Sequence, residues 1–203
     1  TESCSFDDGS WGQDIIFVVD SNDTTELSLS RLEKLSPESA RCKDTIFLGQ
    51  AVSVPGTAMS NTLVNVSHDK KVELPVAEEM QMGMAVGLAI DGYVPITIYP
   101  RWNFLLLSMN QLVNHLDRMQ HISNNGYKPR VIIRTSIGSE RPLHPQHQHI
   151  GDFTDAFRMI FESINVVRLD EPDEIFPAYK NAYERIDKIS TLIVEYGDYY
   201  NEK

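Results

Sequence analysis

The chain is short of positive charge, of cysteine and of long apolar runs. Its 203 residues hold 18 lysines and arginines against 29 aspartates and glutamates, a formal net charge of -11 at pH 7. A protein that grips nucleic acid by its phosphates needs a basic face, so that class of function is excluded for the chain as a whole. Cys4 and Cys42 are the two cysteines, too few for a disulfide framework, and a reducing, cytoplasmic setting is expected. No stretch approaches the ~18 apolar residues that a membrane span requires, so no membrane association is expected. The opening segment TESCSFDDGSWGQD has neither a positive start nor an apolar core, and no signal peptide is expected from it.

What is present is a composition of 41% hydrophobic and 23% charged residues, enough for one substantial core. We divide the chain into an N-terminal extension, residues 1–43, and one domain, residues 44–203. In the extension, DIIFVVD (14–20) reads as a short strand and TTELSLSRLEKL, from Thr24, as a helix ended by Ser36-Pro37. In the domain, strands are expected in DTIFLGQAVSV (44–54), YVPITIYP (93–100), KPRVIIRTSIG (128–138), INVVRLD (164–170) and STLIVEYGD (190–198). Helices are expected from Val76 to Ile90, from Asn103 to about Ser123, from Asp152 to about Ser163 and over DEIFPAYKNAYERI (173–186). Strands alternating with helices at this spacing predict an α/β fold with a mainly parallel central sheet and helices on both faces.

Three features carry chemistry. In VAEEMQMGMAVGLAIDG (76–92) two acids, Glu78 and Glu79, lead a helix of small and soft residues. Gly83 and Gly87, four apart, share a face and would let another backbone approach, whether from the same domain or from a second copy of the chain. As plain helix-start carboxylates the two acids would be favoured by the macrodipole, an effect of ~0.3–1 kcal/mol. In PLHPQHQH, His144, His147 and His149 supply half of the six histidines, the side chain best suited to proton transfer near neutral pH. Such a cluster also fits a metal site or a plain surface loop. Arg101, Arg134 and Arg141 stand near these segments, where a guanidinium fork suits a substrate carboxylate or phosphate as well as a surface ion pair.

The order TIFLGQAV, AEEMQMGMAVGLAIDGYVPI, YPRWNF, NQLVNH, VIIRTSIG and PQHQHIGDF resembles the pyrimidine-binding domain of thiamine diphosphate enzymes. The version it is similar to occurs in transketolase and in the beta subunits of pyruvate and branched-chain 2-oxoacid dehydrogenases. The resemblance runs from about Asp44 to about Asp198. It implies that Glu78 hydrogen-bonds a ring nitrogen of the cofactor and so promotes the proton loss that activates it, a task suited to a carboxyl withdrawn from water. It also implies that Phe104 stacks on the pyrimidine, that Gln50 lies beside the cofactor, and that His147 is the acid/base facing the substrate carbonyl. His144, His149, Arg101 and Arg141 would then be substrate-facing. No metal ligand is expected in this chain itself.

The same resemblance implies a second half. Thiamine diphosphate is held at its other end through Mg2+ by a diphosphate-binding domain with a Gly-Asp-Gly start and a later Asn-Asn, and these 203 residues contain no Gly-Asp-Gly. A diphosphate-binding, alpha-like subunit is therefore expected as partner, in a heterotetramer or with homodimer contact through the 78–92 helix. The expected activity is decarboxylation of a 2-oxo acid or ketol transfer, hence an oxidoreductase, transferase or lyase inactive as a single chain. Gln50 departs from the acid of the dehydrogenase beta subunits, and it keeps open the alternative of a non-catalytic homologue that serves as a binding or scaffolding partner.

Overall fold

A computed structural model describes residues 44–55, 58–138, 140 and 144–197. The strand expected at 14–20, the helix from Thr24, the rest of the extension 1–43, and Arg141 lie outside the described residues. Six strands follow in chain order: β1 Thr45–Gly49, β2 Lys71–Glu73, β3 Val94–Ile98, β4 Ile132–Ile137, β5 Asn165–Arg168 and β6 Thr191–Tyr196. They form one sheet in the order β2-β1-β3-β4-β6-β5, every pair parallel. The α-helices among the described residues are α1 Ala58–Asn61, α2 Glu78–Ile90, α3 Trp102–Leu105, α4 Arg118–Ile122, α5 Thr154–Ile160 and α6 Ile175–Glu184. The α/β architecture expected from the strand and helix pattern is what forms.

Side chains alternate across each strand, so neighbours in sequence serve opposite faces. Phe47, Ile132 and Ile193 pack on one face under α6 and the segment 52–66. Leu48, Ile133 and Leu192 pack on the other, under α2, the run from Trp102 to Leu116, and α5. With both faces covered, the strands read as continuous apolar runs, which is why VPITI and TLIVEY were legible.

Three elements differ from expectation for physical reasons. β2 is three residues, Lys-Val-Glu, and pairs only with β1, too short and polar for periodicity to reveal. The helix expected over 103–123 is segmented: α3 gives way to a tight 3₁₀ turn at Leu106–Ser108, then to a π-helix at Asn110–Asp117, and only then to α4. Asp117 closes the π-helix with its carboxylate fully buried, accepting backbone N–H bonds from Glu162, Ser163 and Ile164 at 2.8–3.2 Å. It thereby fixes the turn that delivers β5. Third, among the described residues no backbone lies against the glycine face of α2. A methyl at Gly83 would meet Gln111 at an ordinary 3.8 Å, and one at Gly87 would meet nothing within 4 Å.

Arg134 is also corrected. It shares its face with Ile132 and so points under α6, away from the α2 side. There it is 3% exposed, its Nε donates to both oxygens of Glu195 at 3.1 and 3.0 Å, and its Nη1 donates to Thr62 at 2.9 Å. The Tyr179 hydroxyl donates to Glu195 at 2.5 Å. The pair is internal cement between β4, β6 and α6. Removing one partner strands a buried charge, so Glu195→Ala should lower the unfolding free energy by ~3–5 kcal/mol in a denaturant titration.

Gly138, which follows β4, has a positional role. A Cβ there would stand 1.9 Å from the carbonyl oxygen of His149 and 2.8 Å from its carbon, so the histidine loop crosses directly over this residue. Gly138→Ala should push the loop off the sheet at a cost of ~1–3 kcal/mol. The check is NMR: the His149 ring signals should move while amide signals of β1 and β3 stay in place.

Candidate active site at the carboxyl edge of the sheet

The chain leaves β1 for β2 on one side and returns to β3 on the other, and it crosses opposite faces in doing so. The crevice beyond the carboxyl ends of β1 and β3 is therefore the switch point where parallel α/β sheets bind ligands. The strand ends meet closely there. A Cβ on Gly49 would lie 2.5 Å from the Ile98 carbonyl oxygen, so only glycine fits. Gln81, 1% exposed, sends its Nε2 to Thr97 Oγ1 and the Ile98 carbonyl, both at 2.9 Å, and to the Leu48 carbonyl at 3.4 Å. One amide thus ties the first turn of α2 to both strand ends.

Glu78 opens α2 and is 5% exposed. Its backbone carbonyl accepts the hydroxyl of fully buried Tyr99 at 3.2 Å. Burial first, and the Glu78 carboxylate in addition, push the Tyr99 phenol well above its ordinary value, so Tyr99 remains a protonated donor. Among the described residues the Glu78 carboxylate accepts one hydrogen bond, from Gln50 Nε2, and it is long at 3.4 Å. Glu79 has a different fate: it is exposed and accepts Asn110 Nδ2 at 3.1 Å, and Asn110 in turn accepts Asn114 Nδ2 at 3.0 Å.

Phe104 lies in α3, half-buried, and stacks against His149 with ring centroids 6.0 Å apart and planes 25° from parallel. The helix is held from below by fully buried Trp102, which packs on Phe157 at 4.7 Å and Phe153 at 6.1 Å. Arg101 precedes α3 in extended backbone, half-buried, its carbonyl capping the helix start. His147 and His149 share a 3₁₀ turn; His147 is exposed and His149 half-buried. His144 is exposed, with Nδ1 accepting the Gln146 N–H at 3.1 Å and Nε2 4.0 Å from Glu140. Gln146 itself sits at φ 67°, a left-handed geometry that a non-glycine residue enters at a cost.

The structure thus pairs Gln50 with Glu78 and Phe104 with His149, leaves His144 and His147 exposed, and turns Arg134 to the opposite face. Among the described residues, Trp102 Nε1, Asn103 Oδ1 and His149 Nδ1 are buried without a hydrogen-bond partner, as are Arg130 Nε, Thr135 Oγ1 and Thr191 Oγ1 elsewhere in the fold. Among the described residues no three of His, Cys, Asp and Glu converge as a metal ion would require. Sequence reasoning missed Gln81 and Tyr99. The signal for each was a lone hydrogen-bonding side chain in an otherwise apolar buried run.

Comparison with known proteins bears on this geometry. The family described as "Transketolase, pyrimidine binding domain" matches residues 24–200. A pyruvate dehydrogenase E1 component subunit beta from Gracilaria tenuistipitata var. liui is 27% identical over 184 residues, 89% of this chain and 55% of that protein. Its counterpart from Porphyra purpurea is 34% identical over 101 residues, 50% of this chain and 30% of that protein. The chain spans about half the length of the first of these relatives. A further relative, 34% identical over 76 residues, is a chloroplastic beta-3 subunit of Oryza sativa subsp. japonica. Among solved structures, a split gene transketolase described as an inactive beta4 tetramer superposes with a TM-score of 0.57 at 14% identity, covering 74% of this chain and 44% of that one. Transketolase from Leishmania mexicana gives 0.55 at 18% identity, covering 74% and 22%. At such identities the structures speak for the fold alone. No helix among the described residues is long and apolar enough to cross a membrane. With the family match extending across most of the chain, this protein belongs to the transketolase pyrimidine-binding domain family.

Proposed function

We propose that this chain is the pyrimidine-binding half of a thiamine diphosphate enzyme, working in the cytoplasm on a 2-oxo acid or a ketol donor. The observation that carries the reading is Glu78. Among the described residues the carboxylate of this largely buried glutamate accepts a single long hydrogen bond. It stands in the first turn of α2, at the switch point of the sheet, with acceptor capacity left over. The residues fit the cofactor's pyrimidine: a carboxyl for a ring nitrogen, the Phe104 ring for its face, and unpartnered polar atoms of Asn103 and His149 nearby.

When bound, thiamine diphosphate supplies a carbon nucleophile that attacks a carbonyl group. The chain's own part is to hold and move protons around it. Glu78 shares a proton with the ring nitrogen, and the Gln50 amide, donating to the same carboxylate, fixes its orientation. Tyr99 and Gln81 keep the first turn of α2 still while that proton moves. His147 exchanges a proton with the substrate carbonyl, and His149 props Phe104. We assign binding of the substrate's carboxylate to Arg101, Arg141, His144 and His149.

The diphosphate and its Mg2+ are held by a diphosphate-binding unit carrying Gly-Asp-Gly and a downstream Asn-Asn. The exposed stripe of α2 supports a partner. Met80, Met84, Gly87 and Ile90 lie open along one side of a helix whose other side, Gln81, Met82, Ala85 and Val86, is buried in this chain. A heterotetramer places that stripe at a subunit contact.

Two measurements test this. Mixed with the diphosphate-binding partner, Mg2+ and thiamine diphosphate, the chain should give tight cofactor binding and 2-oxo acid turnover. Glu78→Ala should reduce both by ~100-fold or more, within the range of a lost general acid/base, and unchanged cofactor binding in that variant refutes the assignment. Gly87→Leu should leave the chain's own melting temperature the same or slightly higher, because helix propensity improves and nothing lies within 4 Å to obstruct the side chain. Light scattering should nevertheless show association with the partner abolished.

A further inference from the structure

Glu73 ends β2, and Cα register sets it opposite Gly49, one residue before Gln50. The Leu74 N–H closes the junction by donating to the Gly49 carbonyl at 2.9 Å. Beyond Gln50 the chain turns through Ala51 at φ 55°, a left-handed conformation unfavourable for a residue with a side chain. A turn made at a cost must be held from outside. The holder is the Glu73 carboxylate, which accepts the N–H of Ala51 at 2.6 Å on one oxygen and those of Val52 at 2.9 Å and Ser53 at 2.7 Å on the other. Three successive amides converging on one anion form a nest, and hydrogen bonds to a charged acceptor are the stronger kind.

We propose that Glu73 is a positioning residue for the Gln50–Glu78 contact: by clamping residues 51–53 it fixes the direction in which the Gln50 side chain leaves the backbone, and so aims its amide at Glu78. The inference rests on the reading of Glu78 as the cofactor-facing acid. It gives β2 a purpose that its length does not. A three-residue edge strand adds little to the sheet, but it delivers one carboxylate to the end of β1.

The test needs no cofactor, so its outcome is separate from that of Glu78→Ala on thiamine diphosphate binding. With 15N-labelled chain, wild type should show downfield, slowly exchanging N–H signals for Ala51, Val52 and Ser53. Glu73→Gln keeps the bulk but presents a donor to the nest. It should release those amides to exchange about tenfold faster or more, since local opening then lacks a charged acceptor. It should also move the Gln50 side-chain amide signals to the positions they take in Glu78→Gln. Glu73→Asp, which keeps the charge, should restore part of both effects. A Gln50 side-chain signal that stays put while the three amides are released overturns the proposal and leaves Glu73 a loop anchor. Should Glu73→Gln not fold, Glu73→Asp decides by the same two signals.

Discussion

A glutamate that opens a helix inside the protein, its carboxylate accepting one long hydrogen bond among the described residues, is the constraint around which the carboxyl edge of this sheet is arranged. Glu78 is carried out of water by the helix it opens, and the chain returns to it one long hydrogen bond and the favourable end of a helix dipole. Its place is set by the parallel sheet and by the knot beneath it, where Gln81 satisfies both strand ends and Gly49 lets them approach. Hydrogen bonding is sparse at the carboxylate of Glu78 among the described residues, and dense just next door at Gln81.

The two faces of the sheet divide the work. Under α6, the Arg134–Glu195 pair is closed on itself, with Tyr179 and Thr62 completing it, so its charges are spent on holding β4, β6 and α6 together. Under α2, hydrogen-bonding capacity is left open among the described residues at the Glu78 carboxylate and at Asn103 and His149. The same residue types therefore do opposite things, and strand parity decides which. Arg134 alternates with Ile133, whose side chain belongs to the α2 face. A guanidinium one position along in that strand would have pointed at the site.

Parity is also where sequence reading stops. Long, doubly buried strands such as VPITI and TLIVEY announce themselves by apolar runs, and the helices between them follow by spacing; hence the α/β fold was legible. β2 was not, because Lys71-Val72-Glu73 carries no pattern and acts through a single carboxylate. The run from Asn103 to Ser123 has helical periodicity throughout, yet the winding changes three times along it, and the side-chain spacing of a π-turn is too close to that of an α-turn to be told apart by eye. Glu78 and Phe104 could be named because several motifs stand in one order. That His149, rather than His147, lies against Phe104 depends on Gly138 and on the turn at Gln146, neither of which announces a geometry in sequence.

Tyr99 shows how such a corner is kept still. Its hydroxyl donates to the backbone carbonyl of Glu78, and burial holds the phenol protonated above its usual range. Tyr99 therefore keeps donating whatever the charge on that carboxylate. Gln81 and Gln50, being amides, do not titrate. The acid that opens α2 is thus surrounded within its own chain by donors of fixed protonation, so a proton gained or lost there leaves its supports unchanged. That separation between a mobile proton and an immobile frame is what a carboxyl needs if it is to exchange protons with a partner without loosening the helix that carries it.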